Sequence, residues 1–152
     1  MAFYQLHQEQ VLKTSLEEIW DFISSPENLK QITPPHMLFE ITSRSREGKI
    51  YPGMIISYKV KPLPYFKTTW VTEITQVENK VFFVDEQRIG PYKMWHHEHW
   101  LEATADGVKM TDIITYQPPL GILGTVANHL VIRKKLDEIF ASRKGSLLEI
   151  FG

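Results

Sequence analysis

The sequence predicts an α+β protein in which about seven antiparallel strands form one sheet and a long C-terminal helix lies across it, in the order β-α-α-β6-α. Three observations carry this. The stretch GPYKMWHHEHWLEATADGVKMTDIITYQ, residues 90–117, alternates with period two on both sides of an Asp106-Gly107 turn signal, as two paired strands do. From His36 to Gln117 the apolar segments are short and separated by turn chemistry, which makes antiparallel neighbours. Beyond Leu120 the period becomes that of an amphipathic helix.

The first strand is Phe3 to Leu12, with Tyr4, Leu6 and Leu12 inward. Ser15 with Glu18 forms a capping-box pattern, and Leu16, Ile19, Trp20 and Ile23 share a face of the helix behind it. Ser25-Pro26-Glu27 restarts a short helix whose apolar side is Leu29 and Ile32, and Thr33-Pro34-Pro35 ends it, so that the two helices form a V. Asp21, Glu27, His36 and Arg46 are assigned to the surface.

Four strands follow, at Leu38 to Ser45, Ile55 to Val60, Phe66 to Val77 and Lys80 to Arg88. Their links are Glu47-Gly48 and Pro52-Gly53, Pro62-Leu63-Pro64, Glu78-Asn79 and Gly90-Pro91, short enough for a meander. The segment KTTWVTEITQV carries apolar residues on both faces; Thr69, Val71 and Glu73 are assigned to the helix side and Trp70 to the outer face.

The two arms of the hairpin complete the sheet. Period two places Trp95, His97, His99, Leu101 and Ala103 on one face of the first arm, and Val108, Met110, Asp112, Ile114 and Tyr116 on one face of the second. A two-residue Asp106-Gly107 loop would put Leu101 opposite Asp112, His99 opposite Ile114 and His97 opposite Tyr116, so both inward sets coincide. That face holds two histidines and an aspartate. Buried polar side chains must be hydrogen-bonded or cost roughly 1 to 3 kcal/mol each, so these either satisfy one another or line a cavity.

The last helix opens at Thr125 or Asn128 and runs to about Ile150, with Ile132, Leu136, Ile139, Phe140, Arg143 and Leu147 as its stripe. Arg133 with Asp137 and Lys134 with Glu138 are spaced for ion pairs on the other side. Leu120-Gly121-Ile122-Leu123-Gly124 ahead of it reads as a flexible apolar gate.

Composition narrows the function. A net charge of -1 with both signs dispersed argues against nucleic acid and against an anionic membrane surface as partners. With no cysteine there are no disulfides, thiolate metal sites, iron-sulfur clusters or cysteine nucleophiles. The N-terminus lacks a basic lead and an apolar core, and no run reaches the roughly 18 apolar residues of a membrane span, so the expectation is a cytoplasmic protein folded as a single domain over 1–152.

The element order, and more narrowly LEEIWDFISSPENLKQITPP followed by GPYKMWHHEHWLE, MTDIITYQPPLG and IFASRKG, resembles the START-like, Bet v 1-like superfamily, also called SRPBCC. Within it the resemblance is to bacterial ligand-binding proteins described as polyketide cyclase-like or as related to the carbon monoxide dehydrogenase accessory subunit. It implies the helix-grip fold, a curved sheet wrapped around the last helix, and an apolar internal cavity. Superfamily members bind lipids, sterols, plant hormones and polyketides, and a minority catalyse cyclisation, dehydration or hydrolysis, so the fold leaves the ligand and any reaction open. The mixed cysteine and histidine ligation of the Rieske oxygenases has no counterpart here, and no complete catalytic motif of the aromatase/cyclases is present.

The residues expected to line the cavity are Trp95, His97, His99, Leu101, Met110, Asp112, Ile114, Tyr116, Phe140 and Arg143. The first reading is a binder of a small hydrophobic or amphipathic molecule, a lipid, polyketide or other aromatic metabolite, with no cofactor. The alternative is an enzyme using His97 or His99 with Asp112 as general acid and base. Two imidazoles and a carboxylate also suit zinc or ferrous iron, but the sequence places no third histidine and no metal is assigned. A third reading is an interaction module with Trp70 and Trp100 exposed to a protein partner.

Overall fold

The structure is a computed structural model and describes residues 3–63 and 66–152. One seven-stranded antiparallel sheet has the order β1-β7-β6-β5-β4-β3-β2. Its strands are β1 (Tyr4–Leu12), β2 (Glu40–Arg44), β3 (Met54–Leu63), β4 (Phe66–Glu78), β5 (Phe82–Ile89), β6 (Met94–Thr104) and β7 (Gly107–Gln117). The last six strands make the expected meander, and β1 closes on β7. Part of the Pro62-Leu63-Pro64 link lies outside the described residues.

Between β1 and β2 stand α1 (Leu16–Ile23) and two short 3-10 helices, Pro26–Ile32 and Pro35–Met37. Ser15 caps α1 by accepting the Glu18 N–H at 3.2 Å, as its sequence pattern requires. Ser25 precedes the second helix without capping it; its hydroxyl donates to the Asp21 carbonyl at 2.8 Å and so ties that helix to α1.

Packing follows the sheet's inner face. Leu12, Ile19, Val108 and Leu147 are essentially fully buried in one cluster with Leu101 and Met110, which joins α1, the sheet and the C-terminal helix. Burying each such side chain contributes about 1.5 to 3 kcal/mol. Gln8 and Gln10 share the inward face of β1 with Leu6 and Leu12 because their amides are used: they donate to the Phe140 and Lys144 carbonyls at 3.0 and 3.2 Å, strapping the helix to the edge strand.

Several expectations need correction. In β4 the inward residues are Trp70, Thr72 and Ile74, and Trp70 is only 8% exposed, so the face set of Thr69, Val71 and Glu73 is inverted. Register shifts between Val71 and Thr72 and between Ile74 and Gln76 break the strict period there. The fourth predicted strand starts at Phe82, later than Lys80, because Lys80 takes a left-handed φ of 62° in the preceding turn.

In the hairpin the turn is Ala105-Asp106, so His99 stands opposite Asp112, His97 opposite Ile114 and Leu101 opposite Met110. The slip of two residues from the expected register leaves every face assignment unchanged. Gly107 is the first paired residue after the turn. It sits at φ 139°, and a Cβ there would lie 2.0 Å from the Leu12 carbonyl oxygen, so close approach of β1 is what requires glycine.

The apolar stretch expected to be a flexible gate is helical. Helix α2 (Gly121–Ala127) passes through one π turn, Asn128–Ile132, into α3 (Arg133–Phe151), so the helix begins earlier than Thr125. Gly124 is buried, and a Cβ on it would meet the Pro119 carbonyl oxygen at 1.8 Å; it is a packing glycine, not a hinge. Arg133 pairs with Asp137 at 3.3 Å as spaced, whereas Glu138 pairs with Lys135 at 3.4 Å instead of Lys134. No helix of the described residues is long and apolar enough to cross a membrane.

Candidate functional site: a cavity with a buried histidine-aspartate-arginine cluster

The sheet, the 3-10 helices and α3 enclose a cavity of about 200 Å³. Its walls are mostly apolar and strongly aromatic. Tyr58 and Trp70 come from β3 and β4, Tyr92 and Trp95 from the start of β6 and its approach, and Leu136, Ile139 and Phe140 from α3. The Trp70 ring stacks on Tyr58 at 6.2 Å and meets Trp95 edge-on at 5.3 Å, so the aromatic wall is continuous across three strands.

At one side of the cavity lies a polar cluster built by strand register. On the inner face Asp85 is opposite His97 across β5 and β6, and His99 is opposite Asp112 across β6 and β7. The hydrogen bonds run along the diagonals. His99 Nε2 donates to Asp85 Oδ2 at 2.6 Å and His97 Nε2 donates to Asp112 Oδ1 at 2.8 Å, the carboxylates being acceptors only. The two imidazoles stack at 3.7 Å, and His99 stacks on Phe83 at 3.9 Å on its other side. Arg143, reaching down from α3, places its guanidinium 3.4 Å from His99 Nδ1 and 3.6 Å from Asp112 Oδ1.

The charges follow from this arrangement. Burial alone would raise the Asp112 carboxyl, but the Arg143 charge and the His97 hydrogen bond hold it well below the usual carboxylate range. Asp85 is likewise lowered: burial opposes ionisation, and the hydrogen bond from His99, with the nearby imidazoles and the Arg143 charge, outweighs it. His99 is pushed down to about 4, first by burial and then by the adjacent His97, against the pull of Asp85. A neutral His99 fits its contacts, with the Nε2 hydrogen on Asp85 and the Nδ1 lone pair accepting from Arg143.

The expected lining residues divide into two groups. Trp95, His97, His99, Phe140 and Arg143 do line the cavity. Asp112, Ile114 and Tyr116 are buried behind the wall, and Leu101 and Met110 belong to the cluster under α1, so these five lie outside the lining. Tyr116 instead donates its hydroxyl to Asn128 at 2.7 Å, anchoring the π turn. Asp85, Tyr58, Trp70 and Tyr92 were not anticipated. A charged residue two positions after Phe83 on an otherwise apolar strand start was the available signal for Asp85, and only its cross-strand neighbour gives it meaning.

A cation at Asp85, His97 and His99 has a partial basis, since three of their ligand atoms converge within 4.8 Å. The donor set fits poorly. Asp85 Oδ2 already holds the His99 Nε2 hydrogen at 2.6 Å, and Arg143 stands against the other nitrogen of the same ring, placing a fixed positive charge beside any metal. The interaction-module reading loses Trp70 to the cavity wall, while Trp100 is 37% exposed and stacks on Phe82 at 4.5 Å. Exposed aliphatic side chains concentrate elsewhere, at Leu120, Ile122, Leu123 and Leu130 around α2 and the π turn.

A curved seven-stranded antiparallel sheet gripping a long C-terminal helix is the helix-grip fold of START-like and Bet v 1-like proteins, and this chain has it. Among solved structures it is similar to TTHA0849 from Thermus thermophilus, at 15% identity over 96% of this chain and 95% of that one, with a TM-score of 0.70. It is also similar to Ara h 8.0201, at 14% identity over 97% and 99% of the two chains with a TM-score of 0.64. The di-domain ARO/CYC StfQ from the steffimycin biosynthetic pathway matches at 9% identity with a TM-score of 0.74, over 98% of this chain and 51% of that chain. No protein-family profile and no curated protein sequence matches the chain.

Proposed function

We propose that the protein binds a small, largely apolar molecule, such as a lipid, polyketide or other aromatic metabolite, inside the cavity between sheet and α3. The observation that carries the reading is the cavity itself: about 200 Å³ of space walled by Tyr58, Trp70, Trp95 and Phe140, with Asp85, His97, His99 and Arg143 clustered in one part of the wall. A packed core closes such space, because unfilled volume forfeits dispersion and costs stability, whereas a binding protein keeps it. Native mass spectrometry of gently purified protein tests this, with a retained small molecule released on denaturation as the supporting result. Protein that is uniformly empty and takes up no apolar dye would sink it.

A second reading, general acid and base catalysis, is favoured by the Asp85 carboxylate on the cavity wall with an imidazole behind it. Against it, Asp85 is lowered and His99 is pushed down to about 4, both away from the neutral range in which proton transfer is most effective. Asp112 is sealed behind the wall and serves to hold Arg143 and His97. Binding therefore ranks first.

A further inference from the structure

Resting on the cavity reading, we infer that the ligand carries a protonated amine, seated on Asp85 and against the surrounding rings, with its apolar remainder in the aromatic part of the cavity. The first observation is that Asp85 faces the cavity half-satisfied. Its side chain keeps 17% of its surface accessible, in contrast to 2% for Asp112. Since it is a cavity-wall residue, that access is to the ligand space. One carboxylate oxygen, Oδ2, accepts from His99 at 2.6 Å and lies 3.7 Å from His97 Nδ1, while Oδ1 has no hydrogen bond among the described residues. A carboxylate in an apolar wall with an open oxygen calls for a donor, and most strongly for a cationic one.

The second observation is the charge count. Asp85 and Asp112 contribute two anions and Arg143 one cation, with His99 neutral between them. His97 stands 2.8 Å from Asp112 and 3.7 Å from Asp85. A ligand ammonium against Asp85 would offset the second carboxylate. The orphaned Arg143 Nε and Trp70 Nε1 hydrogens would favour an acceptor, but both nitrogens are buried, and the Arg143 guanidinium already faces Asp112 at 3.6 Å.

The third observation is the aromatic character of the cavity wall to which Asp85 belongs. Tyr58, Trp70, Tyr92 and Trp95 are all lining residues, and ring faces attract a cation electrostatically, by more when it is desolvated. The Tyr58 and Tyr92 hydroxyls are pushed to higher pKa by burial and remain protonated, so the wall adds no second negative charge. An anionic ligand would meet Asp85 at the same place and be repelled.

The experiment is competition for the cavity at neutral pH between a neutral environment-sensitive dye, N-phenylnaphthylamine, and three molecules of one shape: phenylbutylamine, phenylbutanol and phenylbutyrate. The amine should displace the dye at a concentration at least about tenfold below the alcohol, with the carboxylate weakest. In Asp85→Asn, which keeps the shape of the side chain, the ratio of amine to alcohol should fall to about one, each protein serving as its own reference. Equal potency of amine and alcohol in the wild type, a preference for the carboxylate, or an amine preference that survives in Asp85→Asn would overturn the inference. Those outcomes leave the cavity reading standing, because dye binding and its displacement by any of the three support it. Failure of both dye and amine to bind would overturn the two together.

Discussion

Replacing Asp112 by Ala should be among the most damaging single changes to this sheet. The carboxylate is 2% exposed and accepts from His97 Nε2 at 2.8 Å, with Arg143 at 3.6 Å. Arg143 is itself 7% exposed, and its Nε already lacks a partner, so removing Asp112 leaves a buried guanidinium without its nearest counter-ion. Deleting one member of a buried ion pair costs about 3 to 5 kcal/mol. Asp112→Asn keeps an oxygen for His97 and loses the charge, so its cost should be smaller, about 1.5 to 3 kcal/mol. The exposed Asp106→Ala in the adjoining turn is the control and should stay within about 0.5 kcal/mol of wild type. Urea denaturation measures all three, with m-values checked for constancy so that midpoints convert to stability. A loss below about 1 kcal/mol for Asp112→Ala would refute the reasoning, because it would mean that Asp112 neutralises nothing.

Three further outcomes follow from the same structure. His99 should make stability pH-dependent: its folded value is about 4 against an ordinary 6.5, so the unfolded chain takes a proton first, and stability present above pH 6.5 is lost as pH falls toward 4. The loss amounts to roughly 3 kcal/mol, and a His99→Gln variant whose urea midpoint falls just as steeply over that range would contradict it. Gly124→Ala should lower the melting temperature markedly, because its Cβ would strike the Pro119 carbonyl, whereas Gly121→Ala, in open space at φ 54°, should cost only about 1 kcal/mol. Gly145→Ala should stabilise by about 0.5 to 1 kcal/mol, since the site is exposed within α3 with nothing near its Cβ; a lower melting temperature for that variant would indicate an unrecognised contact.

Those residues also mark where the sequence could and could not be read. The inward sets of β6 and β7 were legible because apolar residues alternate cleanly there, and a slip of two residues is invisible to that signal. The Asp106-Gly107 pair invited the wrong turn. Gly107 is needed for the approach of Leu12, a contact between residues distant in sequence that no local pattern contains. In β4, valines and threonines offer both faces to the core and two register shifts disrupt the period, so only the sheet's neighbours decide that Trp70 and Thr72 face inward. The polar cluster was half visible. His97, His99, Asp112 and Arg143 could be gathered from strand and helix periods, but Asp85 became a cavity residue only through its pairing with His97. The apolar stretch at Leu120 to Gly124 read as a gate because glycine signals freedom, whereas Gly124 is fixed by contact.

The central claim is that the space between sheet and α3 is a binding site, and filling that space tests it most directly. Ile139 lines the cavity from a partly buried position on α3, where a larger side chain can enter the open volume with little disturbance of the helix. Titrating N-phenylnaphthylamine into wild type and Ile139→Trp, with thermal melts in parallel, should show one dye bound per wild-type chain. The variant should bind at least about tenfold more weakly at an unchanged or higher melting temperature, since its indole occupies the ligand space. Undiminished dye binding to a folded Ile139→Trp would place the dye elsewhere and contradict the account.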